Sequence, residues 1–102
     1  MHTLDTLAAT IAARANAEPD SSWTAKLLAK GPGKCAEKFG EEAIEAIIEA
    51  VKGDNDALTS EAADVVFHLL VMLQSRGVTL ADVCAELDKR AGISGIAEKA
   101  AR

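Results

Sequence analysis

The chain has 102 residues and a formal net charge of −5, and a chain of this length forms one domain, here taken as residues 1–102. The acidic balance argues against a broad nucleic-acid surface, which requires a basic footprint, although a local lysine cluster or a metal can still accommodate a phosphate ligand. Hydrophobic residues make up 49% of the sequence but aromatics only 3%, so the apolar content is mainly aliphatic, and it includes neither a recognisable membrane span nor a secretory signal.

Apolar residues at helical spacing predict two helices in the first third of the chain. The first runs over about Leu4–Ala15, with Thr3 as its cap and Pro19 marking the loop that follows. Ser21 or Ser22 caps a short second helix, which the glycine–proline–glycine sequence at 31–33 ends. This second helix carries Trp23, Leu27 and Leu28.

Two long helices are predicted next, separated by a short turn. The first spans about Lys34–Lys52 and stops at Gly53. Asp54 then caps the second, which spans about Asn55–Arg76 before Gly77.

The last predicted helix begins after Thr79, where Thr79 and Asp82 have the spacing of a capping box, and ends near residue 90. No element is assigned to the tail, 91–102. The whole pattern predicts an all-α fold, a small bundle of four to five helices, for which pairing with a second copy is a common way to complete the core. Cys35 and Cys84 fall within helical apolar patterns and lack metal-site spacing, which favours two small buried hydrophobic residues in a reducing cytosol.

Acidic residues form a stripe on the first long helix. At 100° per residue, Glu42, Glu45 and Glu49 share an arc of about 60°, with Lys38 inside the arc and Glu41 beside it. Alone, this stripe is typical of a solvated acidic face with lysine–glutamate pairing.

The second long helix changes this interpretation, because it is apolar nearly all round and should be buried. Glu61, Asp64 and His68 lie on one stripe of it. Ionised carboxylates in such a helix are costly unless they are paired or coordinated. One alternative is a buried ion-pair network with Lys26, Lys34 or Lys38.

The other alternative is a divalent metal site. A short turn places the two long helices antiparallel and adjacent, so that the acidic pair Glu42 and Glu45 faces the pair Glu61 and Asp64. Carboxylate oxygens suit hard cations such as Mg²⁺, which shares its shell with substrate phosphates. A hydrogen-bonded structural histidine is favoured for His68 over a general base or a ligand.

Four lysines precede or begin the first long helix, whose N-terminus also attracts anions. They are Lys26, Lys30, Lys34 and Lys38. Together with the carboxylates they suggest metal-assisted attack on a phosphoanhydride. No serine or cysteine stands in a nucleophilic constellation, so direct attack by water is the simpler hypothesis.

The same segments resemble a known family. Paired ExxE and ExxD motifs on consecutive helices are similar to those of the all-α, MazG-like nucleoside triphosphate pyrophosphohydrolases. Within that group, "TAKLLAKGP", "KFGEEA", "EAADVVFHLLV" and the tail "SGIAEKAAR" resemble the phosphoribosyl-ATP pyrophosphatase family over about Ser21–Lys99. Trp23, Gly33 and Cys35 depart from that family's commoner residues, and none of them touches the acidic motif.

The resemblance implies a cytoplasmic, Mg²⁺-dependent homodimer that hydrolyses phosphoribosyl-ATP to phosphoribosyl-AMP and pyrophosphate, the second step of histidine biosynthesis. By matched positions, the Mg²⁺ ligands and catalytic residues are Glu42, Glu45, Glu61 and Asp64, with Glu41 as a further acidic contact or base. Matched substrate-binding residues are Lys26, Lys30, Lys34, Lys38, Arg90, Ser94 and Lys99. The alternatives are a house-cleaning pyrophosphatase of the same fold and a noncatalytic helical dimerisation module.

Overall fold

A computed structural model describes residues 2–91 of the chain, and this part is all-α, as predicted. Its helices are α1 (Thr3–Arg14), α2 (Trp23–Ala29), α3 (Pro32–Lys52), α4 (Asn55–Ser75) and α5 (Leu80–Arg90), with a 3₁₀ turn at Pro19–Ser21 before α2. The 3₁₀ turn was not predicted from the sequence. The tail, apart from Ala91, lies outside the described residues.

Local capping explains most of the helix boundaries. Ser22 caps α2 by accepting a hydrogen bond from the backbone N–H of Ala25, as one of the two predicted alternatives. The predicted cap of α1 is wrong, because the imidazole of His2, and not Thr3, accepts from the N–H of Leu4. Helix α3 begins two residues earlier than predicted, because the fixed φ of Pro32 suits the first helical position, where a missing N–H costs nothing.

The turn between α3 and α4 is as short as predicted and creates a helical hairpin. Gly53 ends α3 with a left-handed backbone, φ 81°, which favours glycine. Asp54 then caps α4 by accepting from the N–H of Ala57. The two helices, each of 21 residues, pack against each other along their lengths. Residues in the middle of α3 can therefore face residues in the N-terminal half of α4.

The buried core lies at the other end of the hairpin. It combines side chains from four helices: Ile11 of α1, Leu27 of α2, Cys35 of α3, and Leu70 and Val71 of α4. Helices α1 and α2 therefore cover the C-terminal half of α4. The expectation that α4 is buried throughout is wrong for its N-terminal half, where Glu61 is half-buried and Asp64 is exposed, because only α3 packs there.

Helix α5 is the least enclosed element. The predicted capping box is confirmed: Thr79 accepts from the N–H of Asp82, and the Asp82 carboxylate accepts from the N–H of Thr79. The prediction of two buried cysteines holds for Cys35, but it is wrong for Cys84, which is exposed because no residue of α5 is buried. Within residues 2–91, none of the helices combines the length and unbroken apolar character needed to cross a bilayer.

Candidate metal centre

Three of the four predicted carboxylates converge where the middle of α3 faces the N-terminal half of α4. Glu42, Glu45 and Glu61 each offer one carboxylate oxygen, and these three oxygens lie within 4.8 Å of one another. Two residues three apart on α3 and one residue of the adjacent helix suffice to build the cluster, because positions i and i+3 share a helix face. The ExxE spacing and the short turn thus bring together three of the four carboxylates that the sequence predicted, without Asp64.

The cluster concentrates negative charge. Partial burial raises the pKa of Glu42, and the neighbouring Glu45 and Asp64 raise it further. Burial also raises the pKa of Glu61, followed by hydrogen bonding to Glu45 and by the negative charges around it. Because Asp64 acts electrostatically on both glutamates, it borders the cluster even though its side chain is exposed and it does not belong to the close group of three.

These carboxylates lack the cationic partners that a structural ion-pair network requires. Across residues 2–91, no ion pair joins a lysine or arginine to Glu45, Glu61 or Asp64. Oε2 of Glu61 is shielded from solvent and has no hydrogen-bond partner. An orphaned carboxylate oxygen among like charges is unfavourable alone and is well suited to a hard divalent cation, whose ligands are oxygens. The donor set therefore fits a cation such as Mg²⁺.

A lysine–glutamate pair borders the cluster on α3. Nζ of Lys38 lies 2.9 Å from Oε2 of Glu41. The hydrogen bond and positive charge of Lys38 lower the pKa of Glu41, while Glu41 and, more weakly, Glu42 and Glu45 raise that of Lys38. Among the predicted phosphate-binding lysines, Lys38 is thus the one whose positive charge interacts with the carboxylates of the cluster.

The remaining predicted basic residues lie less directly on the site. Lys34 pairs with Glu37 at 3.3 Å, and Lys26 and Lys30 are exposed at α2 and its C-terminus. Arg90 lies at the end of α5, with Nε 3.0 Å from Oε1 of Glu86. Ser94 and Lys99 lie outside the described residues.

His68 packs beside the cluster, although the sequence pattern favours a structural role for it. Its Nε2 lies 4.0 Å from Oε1 of Glu42, and its ring makes an edge contact with Phe67 at 5.1 Å between centroids. Burial lowers the pKa of His68, as does Lys38, against opposing contributions from Asp64 and Glu41. The signal that could have identified it is the shared stripe of Glu61, Asp64 and His68.

The carboxylate cluster lies apart from a groove elsewhere in the described residues. That groove, about 250 Å³, lies between α1, α4 and α5, and its lining is mostly apolar, including Ala8, Leu73 and Leu80. It shares no residue with the cluster. The negative charge and oxygen donors that a cation requires are at the cluster, between the middle of α3 and the N-terminal half of α4.

Comparisons with known proteins agree with this arrangement. Residues 4–91 match the family model described as phosphoribosyl-ATP pyrophosphohydrolase. Proteins named phosphoribosyl-ATP pyrophosphatase from Dinoroseobacter shibae and Ruegeria pomeroyi are each 74% identical over all 102 residues, which cover 100% and 97% of those proteins. One from Cereibacter sphaeroides is 72% identical over the same 102 residues and 99% of its own length. The chain therefore belongs to the phosphoribosyl-ATP pyrophosphohydrolase family.

Proposed function

We propose that this chain is a hydrolase that converts phosphoribosyl-ATP and water to phosphoribosyl-AMP and pyrophosphate, the second step of histidine biosynthesis, with Mg²⁺ as cofactor. The observation that carries the proposal is the convergence of Glu42, Glu45 and Glu61 on two facing helices in a member of this pyrophosphohydrolase family. Relatives at 74% identity carry the name of this activity.

In the proposed site, Glu42, Glu45 and Glu61 hold the cation, and Asp64 at the border of the cluster completes the acidic set. When bound, the cation neutralises phosphate oxygens and polarises the phosphoanhydride that breaks. The absence of ion-pairing lysines from Glu45, Glu61 and Asp64 within residues 2–91 supports this role, since no direct ion pair with a lysine neutralises these three carboxylates there.

Lys38 and Glu41 have complementary roles in the proposal. Lys38 is close enough to the cluster for its charge to act on Glu42, so a phosphate held at the cluster would meet it. Glu41, whose Oε2 lies 2.9 Å from Nζ of Lys38, is in this proposal a further acidic contact or the base that accepts the proton of the attacking water. In the proposal, Lys26, Lys30 and Lys34 also meet phosphates or pyrophosphate, and the substrate-binding set is completed by Arg90, Ser94 and Lys99.

The proposed enzyme is a homodimer whose interface includes the outer face of α3. Four aliphatic residues at i, i+3, i+4 and i+7 form this face, on the side of α3 away from its acidic stripe. Their exposed fractions are large: Ile44 60%, Ile47 62%, Ile48 50% and Val51 83%. A contiguous aliphatic stripe is unfavourable in water, and a second copy supplies the same stripe by symmetry.

We assign the activity to the cytoplasm. Cys35 and Cys84 are both free thiols, and unpaired cysteines are usual in a reducing compartment.

Product analysis tests the proposed reaction. The purified chain with Mg²⁺ should release pyrophosphate from phosphoribosyl-ATP with a far higher kcat/KM than from a panel of ordinary nucleoside triphosphates. Equal turnover of the panel would replace the proposal with a house-cleaning pyrophosphatase. No pyrophosphate from any nucleotide would leave a noncatalytic helical module.

A further inference from the structure

His68 is enclosed without the hydrogen bonds that usually accompany burial. In the described part of the chain it is the one polar residue buried with the core, only 7% exposed. Its Nδ1 is shielded from solvent and has no hydrogen-bond partner, and Nε2 lies 4.0 Å from Oε1 of Glu42. An unpartnered buried imidazole costs stability, and an aliphatic side chain would fill this space more favourably, so packing alone does not account for it.

The arrangement assigns the proton of the ring. A neutral imidazole has one N–H and one lone pair, and here one ring nitrogen is enclosed without a partner while the other faces a carboxylate. Buried acceptors without partners are tolerated better than buried donors. The orphaned Nδ1 therefore carries the lone pair, and the N–H lies on Nε2, which faces the carboxylate of Glu42.

We propose that His68 is a positioning residue for Glu42: its Nε2–H holds one carboxylate oxygen of Glu42 while the other oxygen binds the divalent cation. The inference rests on the proposed function, because it assumes that Glu42 is a ligand. The separation of 4.0 Å exceeds a hydrogen bond by about 1 Å, so the proposed contact requires the Glu42 side chain to move closer to His68.

Such a contact has a measurable consequence. Ligating carboxylates are held by hydrogen bonds from surrounding residues, and loss of one such partner reduces metal affinity by roughly 10- to 100-fold. His68 does not touch the substrate in this proposal. Its loss should therefore weaken metal binding and raise the Mg²⁺ concentration needed for half-maximal activity, while kcat largely recovers at saturating Mg²⁺.

Three substitutions separate positioning from packing. In His68→Gln the carboxamide N–H₂ reaches the place of Nε2, whereas in His68→Asn it reaches only that of Nδ1. His68→Leu fills the space with no donor. The full-length variants are titrated with Mn²⁺, whose free concentration is followed by electron paramagnetic resonance, and circular dichroism establishes that each is folded.

We expect His68→Gln to bind Mn²⁺ within about threefold of wild type, and His68→Asn and His68→Leu to bind roughly 10- to 100-fold more weakly. If His68→Leu does not fold, the comparison of His68→Gln with His68→Asn still separates positioning of Glu42 from packing. Equal Mn²⁺ affinity in all folded variants, or an equal loss of affinity in His68→Gln and His68→Asn, would overturn the proposed role of His68. Neither result would affect the proposed metal site. A wild-type chain that binds no Mn²⁺ would overturn both this role and the proposed metal site.

Discussion

Glu61 stands apart from the other acids of α4 because one of its oxygens is shielded from solvent and has no hydrogen-bond partner. Its raised pKa reflects this partial burial and the negative charge of Glu45, Asp64 and Glu42. The metal-free cluster therefore opposes folding at neutral pH, since a raised carboxyl pKa means that the folded state disfavours the ionised form. This cost is tolerable because a bound cation would reverse it.

The substitution Glu61→Gln separates catalysis from stability at this residue. It removes a proposed cation ligand, so pyrophosphate release from phosphoribosyl-ATP should fall at least ~100-fold, as expected when several kcal/mol of charge stabilisation are lost. It also removes a like charge, so the metal-free variant should keep its helicity and melt no lower than wild type. Steady-state kinetics and circular dichroism measure the two effects.

Two comparisons make the Glu61 prediction decisive. Glu18→Gln makes the same chemical change in the exposed loop before α2 and should leave activity unchanged. Mg²⁺ should raise the melting temperature of wild type and of Glu18→Gln, because a ligand that binds the folded state stabilises it, but not that of Glu61→Gln. Full activity in Glu61→Gln would contradict the assignment of the metal site.

At the scale of elements, α5 depends on its N-terminal cap more than the other helices do, because none of its residues is buried. Replacing the cap by alanine, Thr79→Ala, removes the oxygen that accepts from the N–H of Asp82. The expected loss is about 1 kcal/mol of unfolding free energy, the usual cost of an N-cap. Urea unfolding measures it, and Thr79→Ser, which keeps the hydroxyl, should unfold like wild type.

The acidic half of the capping box adds a dependence on pH. Hydrogen bonds from the backbone and side chain of Thr79 lower the pKa of Asp82 below its ordinary value of 3.8. A lowered carboxyl pKa stabilises the folded state above the unfolded value, and this contribution is lost as pH falls through the folded value. Asp82→Asn should therefore be less stable than wild type at pH 7, and the difference should shrink as pH falls below 3.8 and disappear below the lowered pKa of Asp82 in the folded state. A constant difference across this range would show that ionisation of Asp82 plays no part.

The elements that the sequence predicted best are those specified by local signals. Gly53 and Asp54 mark the hairpin turn through a left-handed φ and a cap, and that turn brings Glu61 of α4 to the acidic pair of α3. What the sequence could not predict depends on which helix covers which face. Asp64 was expected in a buried helix and is exposed, because α1 and α2 cover only the other half of α4. Cys84 was expected inside and is exposed because α5 packs at the edge.

At the scale of the whole molecule, the proposed dimerisation can be tested most directly at the outer face of α3. This face, Ile44, Ile47, Ile48 and Val51, is at least half exposed at every position, and it lies on the same helix as two residues of the carboxylate cluster. If a second copy covers it, dimerisation fixes the position of α3 and hence that of Glu42 and Glu45. Oligomeric state and activity should then be lost together.

The substitution Ile47→Glu places a charge at the centre of this face, where burial against a partner would leave it unpaired and costly. We expect the variant to sediment as a monomer at concentrations where wild type is a dimer, and to lose most of its activity while retaining its helical circular dichroism. Ala13→Glu, on the exposed surface of α1, makes a matched addition of charge and should remain dimeric and active. If wild type itself sediments as a monomer, or if Ile47→Glu stays dimeric, the second copy does not cover this face.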